Sequence, residues 1–273
     1  MNNLATRSLT AVFFVIVMVG STLLGQNVFS VLLFILTVLS LHEFISIVSV
    51  GNSKPSLWPT LIAGSVTYTA FAAHAMDIVG TEWLLIVIPF IFMLFIAELW
   101  RKSEYPFQNI ALSLTAITYI ALPFGLMMYF FSPVVLSGPF HYGIVLGFLL
   151  ILWLNDTGAY FVGSLLGKHK LFERISPGKT WEGSVGGAIF ALLTAWGLSF
   201  VFKQLDVVHW MFLALITVVF GSLGDLVESM LKRSLGIKDS GSVLPGHGGF
   251  LDRFDAVLLS APFVFVYLTL FCR

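Results

Sequence analysis

The sequence predicts an all-α protein that crosses a membrane about nine times. Of its 273 residues, 58% are hydrophobic and 10% charged, with a mean hydropathy of +0.97; soluble domains carry about 25% charged and about 45–50% apolar residues. The apolar residues fall in repeated runs of about 20, the length an α-helix needs to span a bilayer. Lys and Arg divide unevenly between the two sets of connections those runs create, as the positive-inside rule requires of a polytopic protein.

Taken in order, the spans are placed at roughly 9–24, 28–50, 59–77, 83–100, 108–131, 141–166, 183–202, 209–231 and 254–271. The first follows Arg7 and has the look of a signal peptide, but no small-x-small site closes it and a second apolar run follows at once, so a retained span is expected. Gly25-Gln26-Asn27, the stretch from Gly51 to Pro55, Pro106, Ser132-Pro133 with Gly138-Pro139, and Ser176-Pro177-Gly178 supply the turn signals between runs. No internal repeat, low-complexity tract or soluble domain is visible. Connections are short except 167–182 and 232–253, and those two are the polar ones.

One set of connections holds Arg7, Lys54, Arg101, Lys102, Lys168, Lys170, Arg174, Lys179, Lys232, Arg233, Lys238 and Arg253; the other holds Lys203 and Arg273. This places the N-terminus in the cytoplasm, the C-terminus outside and both polar loops on the cytoplasmic side of a cytoplasmic membrane. Residues 1–80 read as accessory or structural helices, and 81–273 as a catalytic region with its site at the cytoplasmic boundary of the C-terminal helices. A net charge of +0 argues against a nucleic-acid partner. A single cysteine, Cys272, excludes an intrachain disulfide and a Cys-based zinc site.

The chemistry concentrates between Asp225 and Asp255. Asp225, Glu228, Ser229 and Lys232 stand at i, i+3, i+4 and i+7, on one face of a helix. Two acids one turn apart inside an apolar helix repel unless a cation or a basic side chain lies between them; an internal pair with Lys232 is the structural alternative. Asp252 and Asp255, again at i and i+3 with Arg253 beside them, open the last span. Acids in a first turn suit the helix dipole, but two carboxylate pairs on two helices also suit Mg²⁺, a hard cation that takes carboxylate and phosphate oxygens. Between them, Gly246, Gly248 and Gly249 flank His247, leaving backbone N–H groups free to meet an anion or simply making a turn.

The other polar loop carries Lys168, His169, Lys170, Arg174, Ser176, Lys179, Thr180 and Glu182. Ser176 or Thr180 can cap the following helix with Glu182 in its first turn, and the same helix start beside Lys179 is an anion site. Asn155 and Asp156 sit inside the sixth span, where an ionisable residue is a functional candidate by default. His42, Glu43 and Glu98 read as pairs within the bundle or with the basic loops, and His74, His141 and His209 as interfacial groups at the outer ends.

No Walker A sequence is present, so acids for Mg²⁺ and basic groups for phosphates point to phosphoryl or nucleotidyl transfer to a lipid without a P-loop. The run Ser229-x-Leu231-Lys232-Arg233, Lys238-Asp239-x-Gly241, Leu244-Pro245-x-His247-Gly248-Gly249-Phe250-x-Asp252-Arg253-Phe254-Asp255 resembles the signature of the phosphatidate cytidylyltransferase (CDP-diglyceride synthase) family. Asp156-x-x-Ala159-Tyr160, Ser176-Pro177-Gly178-Lys179-Thr180-x-Glu182-Gly183 and Gly224-Asp225-x-x-Glu228-Ser229 are similar to that family too, so the resemblance covers about 150–256. It implies the reaction of CTP with phosphatidic acid to CDP-diacylglycerol and pyrophosphate. It also implies Mg²⁺, with a second cation left open, a homodimer, and a polar cavity open to cytoplasm and lipid. Carried over by position, Asp225, Asp252 and Asp255 are the expected metal ligands, and Asp225, Asp252, Lys232 and Arg253 the expected catalytic groups. Asp156, Ser176, Lys179, Thr180, Glu228, Ser229, Arg233, Lys238, Asp239, His247, Gly248 and Gly249 are expected to bind substrate. A CTP-dependent lipid-alcohol kinase and an ion or solute transporter are the competing readings.

Overall fold

The structure, a computed structural model, describes residues 3–49, 53–131, 141–241 and 248–272, with side chains from Thr10 onward. Helices occupy each of the nine apolar intervals. They are α1 (Asn3–Leu23), α2 (Gln26–Val48), α3 (Leu57–Ala75) and α4 (Val87–Arg101), the last entered through a 3-10 turn at Thr81–Ile86. α5 (Pro106–Ala116), a π turn at Ile117–Ala121, α6 (Leu122–Met127) and a 3-10 turn at Met128–Phe131 form one continuous rod. α7 (Gly143–Leu166), α8 (Trp181–Val201), α9 (Val207–Ser234) and α10 (Leu251–Phe271) complete the bundle. Among the described residues, seven helical segments are long and apolar enough to cross a membrane: α2, Thr81–Arg101, Pro106–Phe131, α7, α8, α9 and α10. Thr10–Leu23 of α1 is a shorter apolar helix, and α3 has 19 residues with Thr, Tyr and His among its apolar side chains. The protein is thus an all-α polytopic membrane protein. The turns expected at Gly51, Ser132-Pro133 and Gly138-Pro139, and the candidate His247, lie outside the described residues.

The connection 167–182 is not only loop. Lys170–Phe172 (β1) pairs antiparallel with Ser176–Thr180 (β2). Pro177 is tolerated because a two-stranded ribbon has only edge strands, on which its missing N–H costs no ladder bond. β2 runs straight into α8, so the hairpin sets where Lys179 and Thr180 stand.

Local chemistry accounts for the helix boundaries. Pro106 opens α5 where its absent N–H would be unsatisfied anyway. Asp206 caps α9 by accepting from His209 N at 2.8 Å, and Thr180, rather than Ser176, caps α8 by accepting from Gly183 N at 3.2 Å. Within the helices, Thr22, Thr37, Thr67 and Thr217 donate to carbonyls one turn back, which keeps hydroxyls satisfied where no water is available.

The C-terminal helices pack through small residues. α7 lies along α8 and α9 along α10; a side chain at Gly224 would meet the Asp255 carbonyl oxygen, so that glycine sets the closest approach of α9 to α10. The N-terminal half is keyed to this unit by aromatic contacts. Phe254 of α10, 1% exposed, takes Phe14 of α1 and Phe124 of α6 on its ring, with centroids 5.4 Å and 5.2 Å away. Deleting such a ring removes burial and leaves a cavity, typically costing about 3–5 kcal/mol. Phe254→Ala is therefore expected to lower the melting temperature in detergent well below that of a lipid-facing control such as Phe200→Ala, a comparison that thermal unfolding monitors directly.

Candidate active site

α9 is 28 residues long, or about 42 Å at 1.5 Å per residue, longer than the roughly 30 Å hydrocarbon core. Its C-terminal part can therefore carry ionisable groups at and beyond a membrane boundary. Asp225, Glu228 and Lys232 share one face of that part, as the spacing anticipates, and α10 presents Asp252 and Asp255 to it.

Two sub-sites result. Asp225, Glu228 and Asp255 each offer a carboxylate oxygen, and these oxygens lie within 4.8 Å of one another. Further along α9, Lys232 Nζ bridges Glu228 Oε2 at 2.7 Å and Asp252 Oδ1 at 2.5 Å, with the three side chains only 13%, 2% and 11% exposed. Asp252 is held further by backbone N–H groups, Ser240 N at 3.0 Å and Gly249 N at 2.9 Å, both to Oδ2. Of the three expected metal ligands, the fold brings Asp225 and Asp255 together with Glu228, whereas Asp252 stands with Lys232. Glu228 joins the two sub-sites.

The three-carboxylate cluster fits a hard divalent cation. Three carboxylates so close repel one another when ionised; Lys179 meets Asp225 and Lys232 meets Glu228, and a cation among the three oxygens would neutralise the remaining charge. Glu228 Oε1 is buried without a hydrogen-bond partner among the described residues, and an acceptor left in that state is costly unless a donor or metal meets it. The Tyr119 hydroxyl is also buried and unpartnered among the described residues, within electrostatic reach of Asp255, Glu228 and Asp225. Tyr119 lies in the π turn, a deformation frequent at functional sites. Sequence reading passes over it, because a tyrosine in an apolar helix carries no spacing signal.

Beside the cluster, α7, β2, α8 and α9 enclose a polar cleft of about 360 Å³ lined by Asp156, Lys179, Thr180, Ser222 and Asp225, among others. Lys179 Nζ contacts Asp225 Oδ2 at 2.5 Å and donates to Ser222 O at 3.4 Å. Asp156 takes a bond from Asn155 Nδ2 at 3.3 Å. A second cavity, about 490 Å³, opens between α1, α2, α7 and α10. It is lined mainly by Phe14, Leu36, Leu152, Trp153 and other apolar side chains, and ends on Asp156, Asp252, Arg253 and Asp255. Asp156 therefore stands where a polar cleft and an apolar groove meet.

The remaining candidates are placed as follows. Ser229 is half-buried on α9; Arg233, Lys238 and Asp239 are exposed at its end, with Arg233 Nη1 donating to Ile237 O at 3.4 Å. Ser176 is half-buried in β2. Gly248 has φ 76, a left-handed conformation that favours glycine. Glu182 is turned away from the cleft to accept from Lys168 N, His169 N and His169 Nδ1. Glu98 is occupied in a buried cluster with Arg101, Asn109, Ser103 and Ser56. His74 and His209 bond Tyr129 and Tyr267, on partners separate from the carboxylates.

Comparison with known proteins identifies the family. Residues 5–271 match the model of the cytidylyltransferase family. The chain is 35% identical over 265 residues to a phosphatidate cytidylyltransferase of Staphylococcus haemolyticus (strain JCSC1435), covering 96% of this chain and 98% of the relative. It is 35% identical over 266 residues to that of Staphylococcus saprophyticus, again with 96% and 98% coverage. It is 36% identical over 265 residues to that of Staphylococcus aureus (strain COL), with the same coverage. With a family model matched over residues 5–271 and relatives 35–36% identical over 96% of its length, the chain belongs to the cytidylyltransferase family.

Proposed function

We propose that the chain is a phosphatidate cytidylyltransferase of a cytoplasmic membrane, converting CTP and phosphatidic acid to CDP-diacylglycerol and pyrophosphate. The observation that carries the reading is the meeting of a polar cleft and an apolar groove at Asp156, beside three clustered carboxylates. A triphosphate suits the first cavity and an acyl chain the second. Their reacting phosphates then come together at the cluster.

In the proposed reaction a phosphatidate oxygen forms a bond to the α-phosphorus of CTP. The bond from that phosphorus to the bridging oxygen breaks, and pyrophosphate leaves with the electron pair. The lipid phosphate is ionised at neutral pH and needs no strong base; holding two anions against their repulsion is the main task. Lys179 and the N-terminus of α8 face the triphosphate from the cleft. Arg253, in the lining of the groove, is suited to the lipid phosphate, and Arg233 and Lys238 add exposed positive charge at and just beyond the end of α9. Asp225, Glu228 and Asp255 would hold Mg²⁺; when bound there, the ion supplies positive charge against the CTP phosphates and the leaving pyrophosphate.

The Lys and Arg distribution supports nine spans with the N-terminus in the cytoplasm and the C-terminus outside. Residues 1–80 then serve as accessory helices and 81–273 as the catalytic region, and the family resemblance implies a homodimer. The direct test uses purified protein with phosphatidate and CTP labelled at either the α- or the γ-phosphate. Label from the α-position is expected in the lipid product and label from the γ-position in pyrophosphate. Transfer of γ-label to a lipid would make the protein a kinase, and no turnover at all would remove the nucleotidyl-transfer reading.

A further inference from the structure

Glu43 lies in α2, nearly 200 residues before the site, and is only 6% exposed. An ionised carboxylate buried in an apolar helix persists only where partners satisfy it. Among the described residues, its hydrogen-bond partners belong to the other end of the chain. Glu43 Oε2 accepts from Phe250 N at 2.7 Å, and Oε1 accepts from Leu251 N at 3.1 Å and contacts the Ser240 hydroxyl. α10 begins at Leu251, and its preceding residue, Phe250, has no side chain able to cap it. A carboxylate from α2 therefore does the work that a Ser or Asp at the N-cap ordinarily does, with the favourable charge for a helix N-terminus.

The same contacts reach the site groups. Ser240 Oγ lies 2.9 Å from Asp252 Oδ2 as well as against Glu43, and one hydroxyl proton can serve only one of the two at a time. Ser240 N and Gly249 N both hold Asp252, the partner of Lys232. A side chain at Gly249 would drive into the Glu43 carboxylate and the Ser240 hydroxyl, so the chain passes here as bare backbone because Glu43 occupies the space. One turn along α10 from this cap stands Asp255, in the three-carboxylate cluster.

We infer that Glu43 is a positioning residue for the reaction: it fixes the start of α10 and Ser240 from α2, and through them the placement of Asp252, Lys232 and Asp255. The inference rests on the proposed function for its kinetic consequence and on the geometry alone for its structural one. Glu43→Gln keeps the size but puts an NH₂ against backbone N–H donors; Glu43→Asp keeps the charge one methylene short; Ser240→Ala removes the shared hydroxyl.

The test measures kcat and KM per folded enzyme, together with amide hydrogen exchange at Phe250 and Leu251. For Glu43→Gln, kcat is expected to fall at least about 30-fold with KM for CTP changed less than about threefold. Exchange at the two amides should accelerate at least tenfold while amides in α8 keep their wild-type rates. Glu43→Asp should recover at least fivefold of the lost kcat, and Ser240→Ala should lose about three- to tenfold. Wild-type kinetics per folded molecule in the Glu43 variants, whatever their melting temperature, would overturn the inference, as would unchanged exchange at both amides. If the Glu43 variants do not fold, Ser240→Ala decides by the same two readouts. An inactive wild type would count against the proposed function instead, and the exchange data would still judge Glu43.

Discussion

Asp225→Asn is expected to reduce CDP-diacylglycerol formation by about 10²–10³-fold or more, the scale seen when one preorganised electrostatic group is lost from a transition state. The substitution preserves volume and one acceptor oxygen, so local packing is little changed. What disappears is one of three carboxylates whose oxygens lie within 4.8 Å of each other, and the ionic partner of Lys179 at 2.5 Å. Folding should survive: the Asp225 side chain is 40% exposed, and taking away one of three mutually repelling carboxylates relieves the other two. The half-saturating Mg²⁺ concentration is expected to rise in parallel with the loss of turnover. Product formation per folded enzyme across a Mg²⁺ titration gives both quantities. Activity within about threefold of wild type would remove Asp225 from the reaction centre.

The contrast with Asp252 shows what the sequence can and cannot express. Residue spacing along one helix is legible: Asp225, Glu228 and Lys232 share a face because 3.6 residues make a turn. The nine apolar intervals are legible for a similar reason, since bilayer thickness sets a run length. Pairing between helices is not encoded in spacing. Asp252 and Asp255 lie one turn apart on α10, yet one meets Lys232 and the other the acid cluster, a matter of how α9 sits against α10, where a side chain at Gly224 would clash with the Asp255 carbonyl. The hairpin at 170–180 is not legible because its strands are only 3 and 5 residues long, too short for a period-2 pattern. Glu43 did announce itself as an acid in an apolar helix. Its partners, Phe250 N and Leu251 N, are backbone groups, and a sequence lists no address for those.

Lys232→Met is expected to produce a large loss of stability. Lys232 contacts both Glu228 and Asp252, and all three side chains are nearly withdrawn from solvent. Removing one partner from a buried ionic group leaves uncompensated charge, a change that costs about 3–5 kcal/mol; here two carboxylates are left facing each other. Methionine fills much the same volume as the lysine stem, so a packing defect contributes little and the loss reports the charge. A double variant, Lys232→Met with Asp252→Asn, removes one of the stranded acids. It should be more stable than Lys232→Met alone, giving a favourable coupling in a double-mutant cycle. Turnover should not return with it, because Lys232 also sets the charge balance at Glu228, the carboxylate shared with the metal cluster. Thermal unfolding in detergent of the wild type, both single variants and the double variant measures the cycle. If Lys232→Met unfolded within about 1 kcal/mol of wild type, the bridge between Glu228 and Asp252 would not be holding charged groups in the folded protein. The separation of a metal-binding sub-site from a lysine-centred one would then have to be abandoned.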